Sequence, residues 1–122
     1  MILVDTSVWI DHLRNGSEQL RELLLGDQVL MHPFIVGELA CGRLNKRDLV
    51  LGSLHELPVA AIASHEEALA FLETERLTGW GIGWIDVHLL AAARLSRALL
   101  WTFDASLAKA AGSLGVSFTP EA

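Results

Sequence analysis

Asp5, Glu38, Asp86 and Asp104 each stand alone among apolar neighbours. Asp5 follows Ile2-Leu3-Val4, and Glu38 lies within Phe34-Ile35-Val36-Gly37-Glu38-Leu39-Ala40-Cys41. Asp86 interrupts Trp84-Ile85-Asp86-Val87, and Asp104 closes Leu99-Leu100-Trp101-Thr102-Phe103-Asp104. An ionised carboxylate removed from water is costly unless it is paired or holds a metal. The chain has 9 Lys+Arg against 15 Asp+Glu, and almost none of the basic residues lies beside these four acids in sequence. The four carboxylates are therefore expected to converge on a divalent cation. Oxygen-only ligands suit Mg²⁺ or Mn²⁺ rather than zinc, and no His-x-x-x-His or Cys-x-x-Cys pair points elsewhere. The chemistry that follows is metal-assisted hydrolysis of a phosphodiester. One cation gives hydroxide near neutral pH, and the same ion or a second about 3.5–4 Å away stabilises the leaving oxygen. Ser7 and Thr102, beside Asp5 and Asp104, are candidates to orient waters or carboxylates.

Every one of these residues also has a local reading. Asp5 and Asp104 suit helix N-caps, and Asp86 suits a first turn where an acid complements the helix dipole. Glu38 could pair with a neighbouring arginine such as Arg43. Ser7 and Thr102 fit capping and strand propensity. Trp80 and Trp84, on or beside a glycine-rich loop, are candidates for the core or for stacking a base. His12, His32, His55, His65 and His88 lack ligand spacing and read as structural or surface residues. The glycines at 79, 81 and 83 form no phosphate-binding motif and read as hinge or close-packing positions. What favours the catalytic reading is the constellation, since four separate local accounts are needed to dismiss it.

At 122 residues the chain is long enough for one domain with a substantial core, and 52% hydrophobic content with three prolines argues against disorder. No apolar run reaches the ~18–20 residues that span a bilayer, and the N-terminus lacks the basic region of a signal peptide, so a cytoplasmic location is expected. Cys41, the only cysteine, cannot form an internal disulfide and reads as a small buried hydrophobe on a helix. The formal net charge of -6 alone disfavours a nucleic-acid partner. Cations in the acid pocket would cancel four of those negative charges, however. Arg14, Arg43, Lys46, Arg47, Arg94 and Arg97 are then available to rim the site.

The elements that must position the acids alternate between strands and helices or helix pairs. Residues 2–4 read as a buried strand. Asp5-Thr6-Ser7 offers N-cap chemistry for a first helix that Val8, Trp9, Ile10 and Leu13 continue and Asn15-Gly16 stops, and Ser17 reads as the cap of a second helix ending at Gly26. Residues 28–31 read as a strand, Pro33 to Gly42 as a helix, and Lys46 to Leu54 as another. Val59 to Ile62 is ambiguous between strand and extended loop. Ser64-His65-Glu66-Glu67 has capping-box form, with a helix to about Leu77. After the loop at 78–83, Trp84 to Ser96 reads as a helix with an apolar stripe through Ile85, Leu89, Ala92 and Ala93. Leu99 to Phe103 is a strand, Asp104 starts a helix to about Leu114, and 116–118 is a last strand. Short apolar strands without alternation describe a parallel sheet covered on both faces. Asp5 and Asp104 then fall just past the carboxyl ends of strands, where open α/β sheets bind ligands.

The chain resembles the PIN-domain ribonucleases, in particular the VapC-type toxins of type II toxin–antitoxin systems. The resemblance runs from Ile2-Leu3-Val4-Asp5-Thr6-Ser7-Val8-Trp9-Ile10, through Glu38-Leu39-Ala40 and Gly83-Trp84-Ile85-Asp86-Val87-His88-Leu89-Leu90-Ala91, to Leu100-Trp101-Thr102-Phe103-Asp104. It implies an α/β fold, a PIN-like three-layer sandwich with a short, mainly parallel sheet flanked by helices, over a single domain at 1–122. It further implies a Mg²⁺- or Mn²⁺-dependent endoribonuclease that forms a homodimer. A cognate VapB-like antitoxin would neutralise it, commonly by inserting a basic side chain among the acids. The family's acidic quartet falls on Asp5, Glu38, Asp86 and Asp104, and its flanking polar residues on Ser7 and Thr102. Many relatives carry another acid shortly after the fourth, where this chain has Ser106, which bears on a second metal. The rival readings are a catalytically silent PIN-like RNA-binding module and a receiver-type phosphoacceptor domain.

Overall fold

The computed structural model describes residues 1–120, so positions 121 and 122 of the expected domain lie outside the described residues. A three-stranded parallel sheet has the order β2-β1-β3, formed by β1 (Ile2–Val4), β2 (Val29–Leu30) and β3 (Leu99–Trp101). The register pairs Ile2 with Val29 and Leu99, Leu3 with Leu30 and Leu100, and Val4 with Trp101. All three residues of β1 are buried, as a central strand with both faces covered requires. Single parallel bridges, Met31 to Val59 and Leu100 to Ser117, extend the sheet on either side. The ambiguous stretch after Pro58 thus contributes one bridge, and the expected strand at 116–118 contributes another.

Among the described residues seven helices flank the sheet: α1 (Thr6–Asn15), α2 (Glu18–Leu25), α3 (Pro33–Cys41), α4 (Arg47–His55), α5 (His65–Thr74), α6 (Trp84–Ser96) and α7 (Ala105–Ser113). Their starts follow local chemistry. The Ser17 hydroxyl accepts from Leu20 N–H, and Pro33 occupies the first turn of α3. Ser64 and Glu67 form a reciprocal capping box. The helix expected to reach Leu77 stops at Thr74, and Arg76 takes a left-handed φ of 55°.

α6 corrects the expected stripe. Val87 to Ala93 is buried without interruption, while Ile85, placed on the core face, is 36% exposed. A helix apolar all round belongs inside, and α6 packs on β3 with α5 against it. Cys41 is a second correction: it is exposed. The buried side of α3 runs through Ile35 and Leu39, and Cys41, two residues past Leu39 at the helix end, projects elsewhere.

The chain leaves β1 for one side of the sheet and returns to β3 on the other. The crevice beyond the carboxyl ends of β1 and β3 is therefore a topological switch point, the usual ligand position in open α/β sheets.

Candidate active site

The ladder between β1 and β3 ends with Asp5 N–H donating to Trp101 O at 2.9 Å. Beyond it both strands turn into helices. Asp5 occupies the N-cap position of α1 but does not cap it with its side chain. Its carboxylate, 6% exposed, instead accepts at Oδ2 from the Ser7 hydroxyl at 2.9 Å and from the Thr102 hydroxyl at 2.7 Å. Each hydroxyl has one proton. Both are committed to Oδ2, so the 3.3 Å approach between the two hydroxyl oxygens adds no further donation. The same oxygens accept from the following loop: Phe103 N–H donates to Ser7 Oγ and Asp104 N–H to Thr102 Oγ1, each at 3.0 Å. Phe103 was expected in β3. Its amide points to Ser7 instead, which is why the strand stops at Trp101.

Asp104 caps α7, its Oδ1 accepting from Leu107 N–H at 2.9 Å. Asp86 accepts at Oδ2 from Gly83 N–H at 3.1 Å in the first turn of α6. Glu38 accepts at Oε1 from the Thr6 hydroxyl at 2.8 Å and makes no ion pair with Arg43. The local readings hold for Asp104 and Asp86. They fail for Asp5, whose side chain caps no helix and reaches Thr102, and for Glu38, whose partner Thr6 lies in another segment. Each acid uses one oxygen for its hydrogen bonds, and the other makes none among the described residues.

Burial pushes the Asp86 carboxyl above its usual range, and the Gly83 amide opposes this. The negative charges of Asp5, Asp104 and Glu38 then push it further up. Four segments distant in sequence therefore share one negative field. The premise that all four lie buried needs correction, because only Asp5 does. Asp86 is half-buried, and Glu38 and Asp104 are exposed. Apolar neighbours in a helix surround an outward-facing acid as readily as an inward-facing one.

The donor set suits a hard cation: all oxygen, with one unengaged oxygen per acid and no basic side chain paired to any of them. Among the described residues, however, no three His, Cys, Asp or Glu side chains are drawn together tightly enough to hold an ion as they stand. Three of the four accept instead from amides of their own segment or from a hydroxyl of another.

Of the expected basic rim, Arg14 and Arg43 line a cavity of about 90 Å³ that also contains Glu38. Arg47 is committed to the carbonyls of Ala40 and Gly42 at the end of α3, and Arg94 to Glu75 and the Leu114 carbonyl. Lys46 and Arg97 take left-handed φ values at helix ends. Trp80 packs on the core and donates to the Arg76 carbonyl. Trp84 is 37% exposed, edge-on to His65 and His88. One feature escaped the sequence. Thr6 holds Glu38, for which the polar run Asp5-Thr6-Ser7 was the available signal. His32 and His88 are buried, with His32 Nε2 and His88 Nδ1 lacking partners.

The sequence profile of the PIN domain matches residues 2–113. Ribonuclease VapC32 of Mycobacterium tuberculosis, from strain CDC 1551 / Oshkosh and from strain ATCC 25618 / H37Rv, is 43% identical over 122 residues, covering 99% of this chain and 98% of the relative. The crystal structure of PAE2754 from Pyrobaculum aerophilum superposes with a TM-score of 0.60 at 16% identity, covering 89% of this chain and 78% of that one. That likeness concerns the fold.

Proposed function

Because this chain belongs to the PIN-domain family, in its VapC-type branch, we propose that it is a metal-dependent endoribonuclease toxin, with Asp5, Glu38, Asp86 and Asp104 as its acidic centre. The observation that carries this is the setting of Asp86, whose carboxyl is raised first by burial and then further by the charges of three acids from three other segments. A divalent ion would relieve that field. When bound, Mg²⁺ or Mn²⁺ lowers the pKa of water and neutralises charge on the leaving oxygen. The unengaged oxygens of the four acids would hold it. Ser7 and Thr102 both hold one oxygen of the Asp5 carboxylate, which fixes its orientation and leaves the other oxygen unengaged. Arg14 and Arg43, free of ion pairs among the described residues, supply positive charge for an RNA phosphate beside Glu38.

The VapC-type likeness supports the remaining proposals: an RNA substrate, a cognate VapB-like antitoxin that blocks the acids, a homodimer, and a cytoplasmic location. No helix among the described residues is long and apolar enough to cross a membrane. The receiver-type reading is set aside. Asp5 is single, Asp48 lies within α4, and Lys109 lies within α7 rather than after a strand.

Purified protein should cleave structured RNA with Mn²⁺ or Mg²⁺, lose activity in EDTA, and regain it on metal addition. Asp5→Asn should abolish cleavage with the circular dichroism spectrum unchanged. Cleavage in chelator would defeat the metal mechanism. RNA binding without cleavage under any metal would favour the silent module.

A further inference from the structure

Two cavities are linked to Asp5 through its neighbours: one is lined by Glu38, the other by Thr102, whose hydroxyl holds Asp5. Thr6 leads to Glu38 and the cavity of Arg14 and Arg43. Ser7 leads, through Thr102 and Phe103, to a second cavity of about 180 Å³ lined by Trp101, Thr102, Phe103, Phe118, Thr119 and Pro120. Its walls are aromatic. The Trp101 ring lies 6.0 Å from Phe103 at 86° and 5.5 Å from Phe118 at 60°. Trp101 is buried, whereas Phe103 is 56% exposed, the most exposed aromatic side chain among the described residues.

An exposed phenyl ring contributes little to the core, yet few positions are better fixed. The Phe103 amide donates to Ser7. The residue before it holds Asp5, and the residue after it caps α7. The backbone that carries the ring is thus tied to the acid-bearing segments, and the ring meets Trp101 edge-on while more than half of it stays exposed.

We propose that this aromatic cavity is a nucleobase subsite. A base of the RNA strand, adjacent to the phosphate held at the acids, stacks on the Phe103 ring with Trp101 and Phe118 behind it. Ser117 and Thr119 also line the cavity. Stacking suits the site because every base presents a π-face, whereas hydrogen-bond readout would need buried polar groups. An RNA base is favoured over an apolar peptide side chain because the cavity shares Thr102 with the acid site, and an occupant of both must carry a phosphate. The proposal rests on the ribonuclease reading.

The test is binding of fluorescein-labelled RNA hexamers, intact or with one abasic position, to the Asp86→Asn protein, which keeps an acceptor for the Gly83 amide and does not cleave. Fluorescence anisotropy gives Kd. One abasic position should weaken binding about 5- to 150-fold. Adding Phe103→Ala should weaken the intact hexamer by a similar factor and erase the abasic penalty. Phe103→Trp should restore both. Unchanged affinity on Phe103→Ala, an abasic penalty that persists in that variant, or no hexamer binding would overturn the subsite. The ribonuclease reading fails separately, if wild-type protein with Mn²⁺ leaves RNA intact while this binding pattern holds.

Discussion

The Thr102 hydroxyl donates to Asp5 Oδ2 at 2.7 Å across 97 positions of sequence. It ties the first strand of the sheet to the loop that follows the last, and it holds the only buried acid of the centre. Thr102→Val keeps the shape and strand propensity and removes the donor. Asp104 N–H loses its acceptor as well. The variant should be less stable by roughly 1–3 kcal/mol in urea denaturation, the usual cost of unsatisfied buried groups. Its cleavage rate should fall about 10–100-fold, as when an oriented ligand loses its support. An unchanged rate would mean that Asp5 is held well enough by Ser7 alone.

Asp86 offers the opposite trade. Its carboxyl is raised by burial and by three like charges, so ionisation at neutral pH costs stability when no cation is present. Asp86→Asn retains the Gly83 contact and removes the repulsion. In EDTA at pH 7 it should be more stable than wild type by roughly 0.5–1 kcal/mol, read as a rise in Tm. It should be inactive. Excess Mg²⁺ or Mn²⁺ should raise the wild-type Tm and leave the variant's nearly unchanged.

Acid should destabilise the protein through its buried imidazoles. His32 is lowered from 6.5 to about 4, by burial first and the neighbouring His88 second. His88 is lowered by burial and by His65. A group with a depressed folded pKa that is neutral when deprotonated contributes nothing adverse above pH 6.5. Below it the unfolded chain takes up the proton first, so stability falls as pH drops from 6.5 toward 4. His32→Asn keeps an acceptor for Phe34 N–H, which His32 Nδ1 now provides at 3.0 Å. Urea denaturation at pH 7 and 4.5 should show a smaller loss for the variant. An identical slope would place the acid sensitivity elsewhere.

Arg14 and Arg43 should act on RNA affinity rather than on sequence preference. Either one replaced by Ala should weaken binding about equally for all hexamer sequences. Each should also reduce the slope of log affinity against log salt by ~0.7, one phosphate contact to single-stranded RNA. Arg47→Ala should leave the slope alone and lower Tm, since Arg47 serves the carbonyl end of α3.

Residues whose role is local were legible in the sequence. Pro33, Ser64 and Asp104 announced helix starts because a missing N–H or a short side-chain acceptor acts within one turn. Val4 and Trp101 ended strands near where their apolar runs ended. The need to account for four lone charges in apolar stretches was also legible. Their exposure was not. Glu38 sits next to buried Leu39, and one residue of helix rotation separates core from solvent. Nor was the Thr6–Glu38 or Ser7–Phe103 link readable, because no pattern in a single chain states which hydroxyl meets a partner 32 or 96 residues away.

The interior character of α6 has a consequence for Asp86. From Val87 to Ala93 the helix has no face in water, so its amides should be among the slowest of the molecule to exchange with deuterium. The acid in its first turn is therefore moored to what melts last. Warming should extinguish catalysis only when the whole molecule gives way, and a volume-reducing change such as Leu89→Ala should shift both thresholds downward together.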